Sequence, residues 1–293
     1  MAEFLLELFS EEIPANLQST ARINLITSFK KFFEKENINY KDDGKVFSTP
    51  NRLVLYFKKI EREIHRKSEE IRGPNTKAPE NAIQGFLKSN LIQKQDIYKK
   101  TTDKGEFFFY KKPSKNIKSE DILKANIPSI LENLSWKKSM KWGEHNLYWG
   151  RPLKSIFAIF DNKPLKFEFH HLSSSNSTYI DKDFEEKTKI FKNIKSYFSY
   201  FKKLKIIIDN DLRKKYIKKK LIELSNKKNL QININDKLLS EVTDIVEKPK
   251  IIACIFDKKY LDVPKEVITI TMQHHQKYFP TFDKKNNLTN NFF

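Results

Sequence analysis

Apolar residues first gather in a short run, "EFLLELF" at residues 3–9, which is closed by "SEEIP". A run of that length between breaking signals reads as a buried strand. After Pro14 the spacing changes: Leu17, Ala21, Leu25, Phe29, Phe32 and Phe33 recur every three or four positions. That rhythm predicts an amphipathic helix of about five turns. "RLVLYFKKI" then returns to β-forming residues, and the β-α-β opening implies a sheet covered by a helix. "IRGPNTKAPENAIQGFLKSN" reads as a loop and then a short helix, punctuated by Pro74 and Pro79. "TDKGEFFFYKKP" is a turn at Lys104–Gly105 entering an aromatic strand, and "ILKANIPSILENL" is helical on both sides of Pro128.

Further on, "LKSIFAIF" and "PLKFEFHHL" are strands joined by the turn Asp161–Asn162, and residues 173–185 form a polar loop. From about 190 to 240 the pattern is helical with a heavy basic face, above all in "DLRKKYIKKKLIEL". "KIIACIFDKKYLDVPKEVITITMQHHQKYF" gives a strand, a turn, a short helix near Pro264 and another strand. Strands and helices mix without a βαβ period, so the fold class is α+β, multidomain, with mixed sheets and covering helices. The division falls near residue 175: an N-terminal α+β domain over 1–175, and a second α+β region with basic helices over 176–293. The chain ends on "TNNFF" directly after pairing signals, as a truncated domain would.

Composition sharpens this picture in two places. Fifty-six Lys and Arg against 37 Asp and Glu give a net charge of +19. Such an excess favours polyanionic partners, although a chain rich in Lys, Asn and Ile together also acquires lysines by compositional drift. The single cysteine, Cys254, lies in an apolar run read as a buried strand, so neither a disulfide framework nor a cysteine-based zinc site is available within the chain. The acidic N-terminus lacks the basic segment of a secretory signal. No apolar run reaches the roughly 20 residues that span a bilayer. A cytoplasmic protein is expected.

Several chemistries drop out. With six glycines and no phosphate-cradling motif, a nucleotide loop is not expected. No G-x-S-x-G elbow occurs, and Cys254 is poorly placed as a nucleophile. Glu11 and Glu12 are explained by the dipole of the following helix, and Glu7 lies within a strand. His170–His171 and His274–His275, read as strand neighbours, point to opposite faces and make weak metal sites. Arg52, Arg72, Lys104 and Arg151 each stand at a turn beside Gly or Pro, where a cation loses little entropy on meeting a phosphate. All three tryptophans (Trp136, Trp142, Trp149) fall in or beside "KKSMKWGEHNLYWGRPL", with Lys137, Lys138 and Lys141. The rings are read as anchors for a rigid basic loop, in preference to platforms stacked on bases.

In order along the chain, "ELFSEEIP", "TPNRL", "RGP", "IQGFLKSN", "TDKGEFFFY", "MKWGEHNLYWGRPL" and "LDVPKEVITITMQHHQKYFP" resemble successive elements of the β subunit of bacterial heterotetrameric (α2β2) glycine–tRNA ligase. The likeness covers nearly the whole chain. Lys141 departs from the family's arginine, "EKP" at 247–249 lacks its tryptophan, and "SSSNSTYIDKDFE" lacks its Gly-His-Arg-Phe-like element. The resemblance implies that a separate α subunit makes glycyl-adenylate from glycine and ATP. The β subunit, longer in the family and carrying HD-like and anticodon-binding domains, supplies tRNA binding.

It follows that no catalytic, cofactor-binding or metal residues are expected on this chain, with ATP a substrate of the assembled enzyme. The implied partners are the α subunit and glycine tRNA, with no DNA and no membrane. Arg52, Arg72, Lys104, Lys137, Lys138, Lys141 and Arg151 are the RNA-contact candidates, assigned by charge and turn position. The helix bearing Arg213, Lys214, Lys215, Lys218, Lys219 and Lys220 is a second basic surface or simply a solvated face. The alternative is a structural module that holds the α subunit through "EFLLELF" and exposed aromatics. A metal hydrolase built on the histidine pairs is the remotest reading.

Overall fold

The computed structural model describes residues 1–181 and 187–293, with the Asp181 side chain excluded. It contains two compact units, Met1–Ile60 together with Leu123–Phe293, and Glu61–Ile122.

The chain opens with β1 (Ala2–Ser10), α1 (Ala15–Glu36), β2 (Lys45–Thr49) and β3 (Arg52–Ile60). β1 lies between β3 and a later strand in the middle of its sheet, which is why its apolar residues are continuous: Phe4, Leu5, Leu6 and Leu8 are all buried. Phe4 meets Phe29 of α1 at 5.8 Å between ring centroids, and Leu5 joins the core on the opposite face. "EFLLELF" is therefore internal and offers no surface to a partner. α1 begins after Pro14, buries the expected stripe from Leu17 to Phe33, and stops at Asn37 in the left-handed region (φ 58°).

The smaller unit follows, with β4 (Glu63–Arg66), β5 (Glu69–Asn75), α2 (Glu80–Asn90), β6 (Ile97–Thr102), β7 (Gly105–Lys112) and β8 (Lys115–Lys118). β5, β7 and β6 form one antiparallel sheet, while β4 pairs with β8. "IRGPN", read as loop, is the body of β5: Gly73 admits the Phe86 ring, which a Cβ there would meet at 2.8 Å.

α3 (Ser119–Glu132) runs unbroken through Pro128. β9 (Leu153–Phe160) pairs with β1 and turns at Asp161–Asn162 (φ 48° and 61°) into β10 (Lys163–Pro164). β11 (Glu168–Phe169), β12 (Leu172–Ser175) and β13 (Ser177–Asp181) follow, and β14 (Lys187–Ile190) pairs with β13. The large sheet runs β11-β12-β9-β1-β3-β2, antiparallel except for the β12–β9 pair. The polar loop expected over 173–185 thus contains β13 and most of β12. Buried Ser174 accepts the Phe167 amide at 2.7 Å and donates to the Leu165 carbonyl at 2.8 Å, so its polarity is satisfied inside the fold. Residues 182–185 of that loop lie outside the described residues.

α4 (Ile194–Lys203), α5 (Asn210–Lys227), β15 (Gln231–Ile232), α6 (Asp236–Ile245), β16 (Cys254–Ile255), α7 (Lys265–Ile270), β17 (Pro280–Phe282) and β18 (Leu288–Phe292) complete the chain. The units do not divide near residue 175. Phe191, Ile194, Tyr197 and Phe201 pack with Leu5, Phe47, Val54 and Phe157 in one core, so the chain beyond 175 packs onto the first sheet. A second core, around Ile217, Leu221, Leu239 and Phe279, accompanies the sheet β15-β17-β18-β16. "VITITMQHH", read as running into a strand, is helical throughout: α7 continues into a π-helical turn over Thr271–Gln276. Pro264 at the N-cap starts it, and strand propensity gives way to context. Cys254 lies in a two-residue strand and is only partly buried.

Candidate functional site

The basic tryptophan loop is built on one deeply buried ring. Trp149 is 1% exposed, packs 5.1 Å from Trp136 and 6.2 Å from Phe169, and exchanges backbone hydrogen bonds with Met140 (2.8 and 3.1 Å). Gly150 leaves room for Trp136, whose ring a Cβ would meet at 2.4 Å. Gly143 has φ 54°, a left-handed turn that side chains disfavour. Trp142 is half-buried, edge-on to His145 and His171, which stack on each other at 3.6 Å. Lys137, Lys138 and Lys141 are exposed on this frame, and Arg151 is half-exposed, donating to the Gly150 carbonyl at 3.0 Å. These four cations share one loop.

Arg52 is elsewhere, and not on the surface. It is 2% exposed at the start of β3, donating to Glu7 Oε2 at 3.0 Å, Thr178 Oγ1 at 3.3 Å and the Tyr179 carbonyl at 2.6 Å. Its guanidinium also lies over Phe9 (4.7 Å) and Phe201 (4.5 Å). Thr178 and Tyr197 both donate to Glu7, so the carboxylate is satisfied within the core. Burial alone would lower the pKa of Arg52, but the fields of Glu7, Tyr197 and Glu247 outweigh it and raise it. The same burial, followed by the charge of Glu7, lifts the Tyr197 phenol well above its ordinary value. As a phosphate contact Arg52 is corrected: it is a core cation already paired.

Arg72 and Lys104 belong to the smaller unit. Arg72, exposed on β5, lies 3.6 Å over the Phe107 ring, and Lys104 sits in the exposed turn between β6 and β7 where Gly105 takes φ 111°.

The basic helix, α5, does not present one face. Arg213 is fully buried, donating to the carbonyls of Thr243 (2.8 Å), Ser48 (2.7 Å) and Ile207, with Asp244 at 3.9 Å. Burial lowers its pKa to about 10, partly offset by Asp244. Arg213 is therefore removed from the proposed surface; it ties α5 to α6 and β2. Lys214 pairs with Asp236 at 2.9 Å, Lys215, Lys218 and Lys219 point to solvent, and Lys220 reaches Glu223 at 2.6 Å. Four further exposed lysines, at 205, 227, 248 and 250, line the same side of the molecule as Lys220. They are scattered over 46 positions, counted from 205 to 250, so no local motif marks them.

His170 hydrogen-bonds Glu132, and burial followed by the nearby His145 and His170 lowers the pKa of His171. His274 and His275 lie on the π-helical turn, not on a strand. Among the described residues no group of three or more His, Cys, Asp or Glu side chains could hold a metal ion. None of their helices is long and apolar enough to cross a membrane.

The profile of the family described as "Glycyl-tRNA synthetase beta subunit" matches residues 4–293. The chain belongs to this family. Among curated relatives named "Glycine--tRNA ligase beta subunit", that of Rickettsia bellii (strain OSU 85-389) is 36% identical over 287 residues, covering 98% of this chain and 43% of the relative. That of Rickettsia prowazekii (strain Madrid E) is 37% identical over 284 residues, covering 97% and 42% respectively. For Rickettsia felis (strain ATCC VR-1525 / URRWXCal2) the values are 35% over 294 residues, 100% and 44%. The chain thus spans well under half the length of these synthetase β-subunit relatives.

Proposed function

We propose that this chain serves a glycine–tRNA ligase as part of its β subunit, binding glycine tRNA and assembling with a separate α subunit that carries out the chemistry. The observation that carries this reading is the family match, which runs from residue 4 to residue 293. The exposed cations on the Trp149-anchored loop support an RNA-facing role, because a rigidly held charge loses little entropy on docking. ATP is then a substrate of the assembled enzyme, formed from two α and two β chains in the cytoplasm, and no cofactor is held by this chain.

A second reading, that this region mainly holds the α subunit, is favoured by the exposed Ile252, Ile255, Val267 and Ile270, which suit a protein partner. Mixing the purified chain with α subunit and tRNA separates the two. Co-elution with α together with a salt-sensitive tRNA shift is expected; co-elution without a shift leaves the second reading. Aminoacyl-adenylate formation by this chain alone, given glycine and ATP, refutes both.

A further inference from the structure

α5 carries two stripes at helical spacing. Arg213, Ile217, Leu221 and Ser225 are buried, and they fix how the helix is rotated. That rotation places Tyr216, Lys220, Glu223, Leu224 and Lys227 along one wall of an open groove of about 970 Å³. The opposite wall is the segment after α4, with Lys205 and Ile207, and the segment Lys248–Ile251. The two parts of that wall are joined where the Ile207 amide donates to the Glu247 carbonyl at 2.9 Å. Arg213 in turn holds the Ile207 and Ile208 carbonyls from beneath. The groove is therefore braced by buried contacts and does not depend on its own lysines for shape.

We propose that this groove binds a single-stranded stretch of RNA, its lysines meeting the phosphates and its floor meeting sugars and bases. This rests on the reading above that the chain engages RNA, and names where. Lys205, Lys220, Lys227, Lys248 and Lys250 against Glu223 leave five minus one, a net +4. Glu223 is already held by Lys220 at 2.6 Å and by Lys219 at 3.8 Å, and these contacts, the hydrogen bond to Lys220 first, lower its pKa. Lys205, Lys227, Lys248 and Lys250 are exposed, and only Lys227 acts on Glu223, through its field and behind Lys220 and Lys219, so most of this charge is left to meet an anion.

The shape of the anion follows from the rest of the lining. Ile207, Leu224, Pro249 and Ile251 give the lining an apolar surface that forms its floor, between the charged rims and beside Tyr216. Aromatic and apolar surface within a cationic channel is how proteins hold unpaired nucleotides. A duplex keeps its bases stacked inside and could not use that floor. A compact nucleotide polyphosphate fits less well. Among the described residues that line the space there is no glycine and no helix N-terminus, so it offers no backbone cradle for clustered phosphates. Lysines without a guanidinium fork give point charges and no planar readout, so binding is expected to be tolerant of sequence.

The test is fluorescence anisotropy on the whole chain with a labelled oligouridylate of about 12 nucleotides, within the usual span of single-strand sites. Titrations run between about 50 and 200 mM salt. Lys227→Ala/Lys250→Ala should weaken binding roughly 10- to 30-fold near 0.1 M salt and reduce the salt slope by about 1.4, the share of two single-strand phosphates. Lys31→Ala/Lys35→Ala, which removes the same charge from the exposed side of α1, should stay within about twofold. Equal losses in both double variants, no loss in the groove variant, or no binding by the wild type would overturn the proposal. So would displacement of the oligonucleotide by duplex RNA or polyglutamate as readily as by unlabelled single strand. Running tRNA shift and α co-elution on the same variants keeps the two readings apart. A groove variant that matches wild type in every assay sinks the groove alone, whereas a wild-type chain that neither shifts tRNA nor joins α sinks the broader function.

Discussion

Replacing Arg52 by methionine separates a structural cation from an RNA contact. The substitution keeps much of the apolar stem but removes the donors that face Glu7, Thr178 and the Tyr179 carbonyl. Glu7 is fully buried and would retain only Thr178 and Tyr197 as donors, with no cation in hydrogen-bond contact. Breaking a buried pair from one side costs about 3–5 kcal/mol, because the remaining charge is left uncompensated. Against a typical total of about 5–15 kcal/mol, that is a substantial fraction of the stability. With an m-value of about 2 kcal/mol per molar in urea, the midpoint should fall by about 2 M. Intrinsic tryptophan fluorescence reads the right unit, since Trp136, Trp142 and Trp149 all lie in the unit that contains Arg52. Adding Glu7→Gln should recover part of the loss, with a coupling of about 1.5–3 kcal/mol in the double-mutant cycle. If Arg52→Met leaves the midpoint within about 0.3 M of wild type while weakening RNA binding, the placement of this residue in the core is refuted.

Other substitutions test neighbouring parts of the fold. The Tyr197 phenol has a folded pKa above its unfolded value of about 10, so its contribution is present below about pH 10 and is lost as pH rises beyond it. Tyr197→Phe should therefore show a shallower fall in stability above about pH 10 than wild type, measured by urea unfolding at each pH; a parallel fall would contradict the assignment. Arg213→Met strands the carbonyls of Ser48, Ile207 and Thr243 and should cost at least about 2 kcal/mol in the same assay, with Arg213→Lys recovering little because ammonium lacks the fork. Gly150→Ala drives a Cβ into Trp136 and should cost about 1–3 kcal/mol with a shift in tryptophan emission, whereas unchanged emission and stability would show that the loop yields freely.

Periodicity alone was enough for the parts whose hydrophobic pattern is local. β1, α1, β3, β7, β9 and the turn at Asp161–Asn162 were all readable, and so was the α+β class, because each element declares itself within about ten to twenty residues. Trp149 as an anchor was legible too: a large apolar ring beside a glycine has few other uses. What the chain could not announce locally was the company each charged residue keeps. Arg52 and Arg213 look like surface cations in "TPNRL" and "DLRKKY" until Glu7, Thr178 and Tyr197, or the carbonyls of Ser48 and Thr243, are brought to them from up to 165 residues away along the chain. The reverse holds for Lys205, Lys227, Lys248 and Lys250, ordinary in sequence and gathered into one groove only where the segments following α4 and α6 meet α5. Hydrophobic periodicity acts over one or two turns and so survives in one dimension; charge pairing and groove formation depend on distances that tertiary packing alone creates.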